Sequence, residues 1–219
     1  MEAAIRGIRF DDRGLAPCVV QDWQTGEVLM LAWVNAEAIE RSRASGEMHF
    51  FSHSRGRLWR KGETSGATQR LRQLRYDCDA DALLALVEPA GPACHTGERS
   101  CFYREVGGAA EPVADAPPAP GEPRAAPFEA LGRLERVIAD RDRERPADSY
   151  TAALLANPAR VRAKVGEEAD EVVRAAGSES DERFAEESAD LIYHLAVLSR
   201  ARGVDLGAAL EVLNGRRDG

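Results

Sequence analysis

The chain has 219 residues and a mass of 23.8 kDa, enough for one ordinary domain or two small ones. Hydrophobic residues make up 44% and charged residues 30%, and 29 basic against 37 acidic side chains leave a net charge of -8, which argues against wrapping nucleic acid. No apolar run approaches the roughly 20 residues of a membrane span, and the start, MEAAIRGIRFDDRG, lacks the apolar core of a secretory signal; the expectation is a cytoplasmic protein that binds neither membrane nor nucleic acid.

In the first half, PCVVQD, GEVLMLAWV, MHFFSHS, RLWRKG and DALLALVE are short segments, several rich in β-branched or aromatic residues and bounded by glycine or polar turns. They predict strands, with one helix over Asn35–Ser45 behind an asparagine cap. Between Gly107 and Pro127 the chain reads GGAAEPVADAPPAPGEPRAAP, holding six of the eleven prolines. Too little large apolar surface is present there to offset the entropy of ordering, which predicts a semi-extended linker.

After the linker the apolar period becomes helical. Phe128, Leu131, Leu134 and Ile138 mark one stripe, and Ser149 caps a short helix stopping near Asn157. Pro158 opens the next, with Val161, Val165 and Val172 on its inner face and an end near Gly177. Ser180 caps another, with Phe184, Leu191, Leu195 and Leu198 expected inside and Gly203 at its end; a last helix covers Leu206–Leu213. The predicted architecture is an N-terminal mainly-β (α+β) metal-binding domain over 1–106, a Pro/Ala-rich linker over 107–127, and a C-terminal all-α helical bundle over 128–219.

All four cysteines, Cys18, Cys78, Cys94 and Cys101, lie in the first half. Cys78, Cys94 and Cys101 make an open tetrahedral zinc centre suited to hydrolysis, a structural metal site, or unrelated buried or reactive thiols, since the spacing lacks a C-x-x-C knuckle; Cys18 reads as a core thiol. In D-C-D-A-D an extended backbone would put Asp77, Asp79 and Asp81 on one face and Cys78 on the other. Three like charges there suit Mg²⁺, or else form an acidic turn. His95, beside Cys94, is a proton-transfer candidate or an outer hydrogen-bond partner. His49 and His53 carry little weight. Arg60, Lys61 and Ser65 fall in RKGETSG, a phosphate cradle or a plain turn.

In the second half Glu168 and Glu171 share a helical face, and Glu187 and Asp190 repeat that spacing on the later helix. Both pairs border apolar stripes, where unpaired carboxylates are costly, so Mg²⁺ held between two helices competes with a solvated acidic face. Glu167 and the other acidic residues around them read as that solvated face. His194 follows Asp190 by one turn, and Arg141, Arg143 and Arg145 form a basic edge that suits phosphate or surface ion pairs.

VLMLAWVNAEAI, FFSHSRGRLWRKGETSG, DCDAD and GPACHTGERSCF, together and in order, resemble phosphoribosyl-AMP cyclohydrolase of histidine biosynthesis. The resemblance implies a zinc- and magnesium-dependent homodimer whose metal sites are completed across the subunit interface. Cys94 and Cys101 would then bind zinc with Cys78 of the other subunit, Asp77, Asp79 and Asp81 would bind magnesium, and His95 would move protons. Family members often carry arginine where this chain has His53. LGRLERVIADRDRERPADSYTAALL, KVGEEADEV and EESADLIYHLAVL resemble phosphoribosyl-ATP pyrophosphohydrolase, an all-α Mg²⁺-dependent nucleotide pyrophosphatase whose E-x-x-E and E-x-x-D signatures fall on Glu168, Glu171, Glu187 and Asp190. The pair implies consecutive steps on nucleotide substrates: the second half releases pyrophosphate from phosphoribosyl-ATP, and the first opens the adenine N1–C6 bond of the product. A structural zinc module fused to an acidic adaptor, or a dNTP pyrophosphatase in the second half, are the alternatives.

Overall fold

The first strand is set by alternation. In β1 (Ala16–Asp22) the residues Ala16, Cys18, Val20 and Asp22 are buried and those between them half-exposed, the period of two that a strand with one inward face requires. The computed structural model describes residues 7–104, 127 and 129–216, and the chain divides into two compact units, Met1–Ala126 and Pro127–Gly219. Apart from Pro127, the segment expected to be a linker lies outside the described residues, as does Phe128 of the first helical stripe.

In the first unit β2 (Val28–Val34), β3 (His49–Ser52), β4 (Arg57–Arg60), β5 (Gln69–Tyr76) and β6 (Leu83–Pro89) join β1 in one sheet of order β4-β3-β2-β1-β6-β5. Only β1 and β6 run parallel among these neighbours. α1 (Ala36–Ser45) connects β2 to β3; the Asn35 side chain accepts from the Ala38 N–H at 2.8 Å, and Gly46 ends the helix at φ 73°. Beyond α1 the Met48 N–H donates to the Gln69 carbonyl and the Met48 carbonyl accepts from the Lys61 N–H, both at 2.9 Å. These bonds, with the Glu47–Arg70 bridge, pair the lead-in to β3 with the outer strand β5 and extend the β3–β4 pairing, which curls the sheet around Val20, Leu29, Met48, Phe50 and Val87.

Two features of this unit differ from the sequence reading. β5, QRLRQLRY, is a strand that its composition hides: five of its residues are exposed, and a bulge between Leu71 and Gln73 breaks the alternation. D-C-D-A-D is not extended. It is a turn between β5 and β6, with Ala80 at φ 62° and the Asp77 carboxylate accepting from the N–H groups of Asp81 (3.0 Å) and Ala82 (3.1 Å).

The second unit is all helix: α2 (Glu129–Glu144), α3 (Tyr150–Leu155), α4 (Pro158–Ser178), α5 (Asp181–Arg202) and α6 (Leu206–Gly215). Ser149, Asn157 and Ser180 cap α3, α4 and α5 through their side chains, and Gly203 ends α5. Ile138, Leu154, Leu155, Val161, Ala196 and Val197 form the core. The inward stripe of α4 runs Val161, Glu168, Ala175, with Val165 and Val172 half-buried beside it. On α5 the expected stripe is displaced: Phe184 and Leu195 are 42% and 41% exposed, and Glu187, His194, Ala196 and Val197 turn inward instead. No described helix is long and apolar enough to cross a membrane.

Candidate active sites

The loop after β6 carries two thiols. Ala93 N–H bonds the Arg99 carbonyl and Cys94 N–H the Glu98 carbonyl, each at 3.0 Å, and Gly97 takes the positive φ of 92° that the tight return demands. The far end is pinned where the Cys101 N–H meets the Leu29 carbonyl at 2.7 Å and the Ser100 hydroxyl the Val28 carbonyl at 2.8 Å. The Arg99 guanidinium, paired with the buried Asp22 and with Glu27, holds the middle.

This frame brings the Cys94 and Cys101 sulfurs together, close enough for each to act on the other's ionisation. Burial pushes the Cys94 thiol up, but the Thr96 hydroxyl at 3.1 Å and hydrogen bonds to the sulfur outweigh it, so its pKa falls below the usual value. Burial, reinforced by the charge of Cys94, pushes Cys101 to about 11. Exposed His95 stands beside the pair. Lys61 is turned inward rather than presented on the open side of its loop, and desolvation lowers its pKa against the opposing pull of Cys101 and Cys94. Arg60 pairs with Glu47 at 2.6 Å, and Ser65 lies exposed in the adjoining loop.

Cys78 is elsewhere. It precedes β6 while Cys94 follows it, and the seven residues of that strand span about 20 Å. Around exposed Cys78, one carboxylate oxygen from each of Asp77, Asp79 and Asp81 lies within 4.8 Å of the others, so the turn gathers what the extended reading had gathered by alternation. The N–H groups of Ala82 and Asp81 hold Asp77 below the usual carboxylate range, whereas the charges of Asp79 and Asp77 push Asp81 up. His53 sits in the β3–β4 turn with its ring 4.8 Å from that of Trp33, and His49 Nδ1 is 2.8 Å from the Glu47 carbonyl.

In the helical unit α4 and α5 lie side by side. One oxygen from each of Glu168, Glu171 and Glu187 lies within 4.8 Å of the others. Glu168 and Glu187 are 4% and 6% exposed, a costly setting for two carboxylates without cations. Lys164 Nζ stands 2.7 Å from Glu168, and Arg183 pairs with Glu187. Lys164 lowers the pKa of Glu168; burial and the charges of Glu187 and Glu168 raise that of Glu171. Asp190, on the same helix as Glu187, is exposed and is not one of the three gathered carboxylates. Its carbonyl lies 2.9 Å from Nδ1 of buried His194, which is 3.6 Å from Glu168 and, through Nε2, 3.3 Å from the Tyr150 hydroxyl. Arg141, Arg143 and Arg145 pair with Glu144, Asp140 and Asp142.

Residues 30–103 match the family model of phosphoribosyl-AMP cyclohydrolase, and residues 131–217 that of phosphoribosyl-ATP pyrophosphohydrolase. Over 95% of its length the chain is 46% identical to the histidine biosynthesis bifunctional protein HisIE of Bacillus subtilis, covering 94% of that protein. It is 47% identical to HisIE of Gloeobacter violaceus (95% of this chain, 90% of the relative) and 44% identical to that of Prochlorococcus marinus (98% and 95%). The chain belongs to the bifunctional HisIE family. Its members join the two enzymes in one polypeptide, and each matched stretch here contains one carboxylate cluster. Sequence reasoning passed over Lys164 and Tyr150. Lys164 was recoverable, being four residues before Glu168 on one helix; the Tyr150–His194 contact joins residues 44 apart and leaves no local signal.

Proposed function

We propose that the chain is a bifunctional hydrolase that converts 1-(5-phosphoribosyl)-ATP to 1-(5-phosphoribosyl)-AMP and pyrophosphate, then opens the adenine N1–C6 bond of that product. The carrying observation is the coincidence, in each unit, of a metal-competent donor set with the stretch matching the corresponding family.

For the first step the oxygen-only donor set of Glu168, Glu171 and Glu187 suits a hard cation, and its buried, mutually repelling carboxylates are what such a cation relieves. Asp190, one turn beyond Glu187, is the fourth carboxylate of the proposed set. Magnesium bound there would screen phosphate oxygens and favour attack by water at the α–β anhydride. The chain's own part is to aim the carboxylates from two packed helices, with Lys164 fixing Glu168 and His194 bracing it from behind.

For the second step two sulfurs already converge, and soft thiolates select zinc. We assign the third sulfur to Cys78 of a second subunit, since β6 separates Cys78 from Cys94 within one chain. Zinc at such a centre supplies an activated water for attack at C6. His95 takes or delivers the proton, and Asp77, Asp79 and Asp81 would hold magnesium, which would supply charge for orienting a phosphate. Arg60 and Ser65 offer phosphate contacts from the neighbouring loop; Lys61, the third residue of that cradle, is buried beside the thiols and suits the role less. A homodimer is further supported by large apolar side chains left exposed in both units, among them Trp23, Leu31, Phe184, Ile192 and Leu195.

The test is a time course by mass on phosphoribosyl-ATP with magnesium and stoichiometric zinc. Loss of pyrophosphate followed by gain of one water is expected. No turnover with both metals present refutes the reading.

A further inference from the structure

Two residues, Lys61 and Gln69, carry polar groups into the interior of the N-terminal unit on either side of Met48. The backbone bonds that join Met48 to Lys61 on one side and Gln69 on the other set the three abreast across adjacent strands. Residues directly opposite in antiparallel pairs turn their side chains to one face. That face is the inner one: Met48 and Gln69 are each 1% exposed, and Lys61 is 8% exposed. Neither Nε2 nor Oε1 of Gln69 has a hydrogen-bond partner among the described residues. Among the described residues no carboxylate is paired with Lys61 either, while the charges of Cys101 and Cys94 oppose the desolvation that lowers its pKa. Ala93, adjacent to Cys94, packs into the same buried cluster as Met48 and Leu29, so the thiol loop covers this end of the sheet.

A lysine withdrawn from water needs a counter-charge, and a buried carboxamide needs partners. Three thiolates on a divalent ion leave one negative charge, which a neighbouring ammonium neutralises in a medium of low dielectric. We propose that Lys61 is a positioning residue of the thiolate centre, supplying the buried positive charge that balances a metal held by cysteine sulfurs, and that Gln69 steadies its ammonium through one enclosed water. The water would satisfy the carboxamide as buried waters do elsewhere. The inference rests on the zinc reading of Cys78, Cys94 and Cys101, and it takes Lys61 out of the phosphate cradle.

Zinc affinity of the full-length protein, measured by competition with a colorimetric chelator, separates these roles. Lys61→Met should weaken zinc binding about 10- to 100-fold, the usual effect of losing an outer partner of a metal site. Lys61→Arg should stay within about threefold of wild type, and Gln69→Leu should fall between, because charge dominates the effect. Ring opening of phosphoribosyl-AMP should lose kcat while KM changes little. A folded Lys61→Met protein with wild-type zinc affinity overturns the proposal, and a raised KM alone would return Lys61 to phosphate binding. A second readout needs no folded Met variant: with ¹⁵N-labelled lysines, zinc loading should shift one slowly exchanging ammonium resonance that is missing from Lys61→Arg. No ammonium responding to zinc overturns the proposal equally. Cys94→Ser protein that still binds zinc would refute the zinc reading itself, whereas zinc lost in Cys94→Ser but kept in Lys61→Met refutes only the part given to Lys61.

Discussion

Cys18 and Cys78 show how far one residue's surroundings decide its chemistry. Cys18 is fully buried on β1, and burial pushes its pKa to about 12, so almost no thiolate exists near neutrality. Cys78 is exposed in the β5–β6 turn. Iodoacetamide at pH 8, read by mass spectrometry on metal-free native protein, should therefore modify Cys78 and leave Cys18 untouched until denaturant is added; early labelling of Cys18 would contradict its place in the core. In the helical unit, Glu168→Gln or Glu187→Gln should each lower phosphoribosyl-ATP hydrolysis at least about 100-fold, the loss of roughly 3 kcal/mol of charge stabilisation. Ring opening of supplied phosphoribosyl-AMP should persist in the same protein, and a parallel loss of both activities would point to unfolding instead. Glu168 and Glu187 were legible as candidates because the E-x-x-E and E-x-x-D spacings survive in a linear sequence. That Lys61 turns inward was not legible, since nothing local distinguishes it from Arg60, which stays at the surface in an ion pair.

At the scale of elements, caps and periodicity carried most of the information. Asn35, Ser149, Asn157 and Ser180 each accept the backbone N–H that a cap should, and these short-range bonds fix helix starts regardless of what packs against them. β5 was hidden because its side chains are mostly exposed and charged or polar and its bulge shifts the side-chain pattern midway. D-C-D-A-D resisted reading because two N–H groups bonded to one aspartate select a turn over a strand. On α5 the apolar residues follow a face that the single unit leaves open, so periodicity correctly found the helix and misjudged its buried side. Between elements, Asp142 on α2 joins Arg200 on α5 at 2.9 Å. Arg200 first, then Arg145, holds the Asp142 carboxyl below the usual range. A lowered folded value means that the stabilisation is present above the unfolded pKa and disappears as the pH falls through the folded one. Asp142→Asn should thus lose less than about 1 kcal/mol at pH 7 in urea melts followed by helical circular dichroism. The gap between variant and wild type should close on acidification, and a gap independent of pH would refute the ion pair as its source.

The whole molecule poses a question that no single chain answers: how one metal could meet Cys78 and Cys94 when the strand between them spans about 20 Å. Moving either turn that far would break the bonds anchoring Cys101 to Leu29 or Arg9 to Ala80, so a closed site of three sulfurs demands a second copy. In the proposed homodimer, two-fold symmetry would build two equal sites, each taking Cys78 from one subunit and Cys94 with Cys101 from the other. That arrangement has a quantitative signature. Cys78→Ser and Cys94→Ser proteins should each be inactive in ring opening, since both sites of either homodimer are damaged. A heterodimer of the two gathers both lesions into one site and leaves the other intact. Random exchange of equal amounts makes half of all dimers heterodimeric, and half of their sites whole, so about one quarter of wild-type cyclohydrolase activity should return on mixing. Pyrophosphohydrolase activity should be unchanged throughout, which calibrates the protein present. If subunits demonstrably exchange and ring opening stays at zero, the sulfurs are not shared in this way.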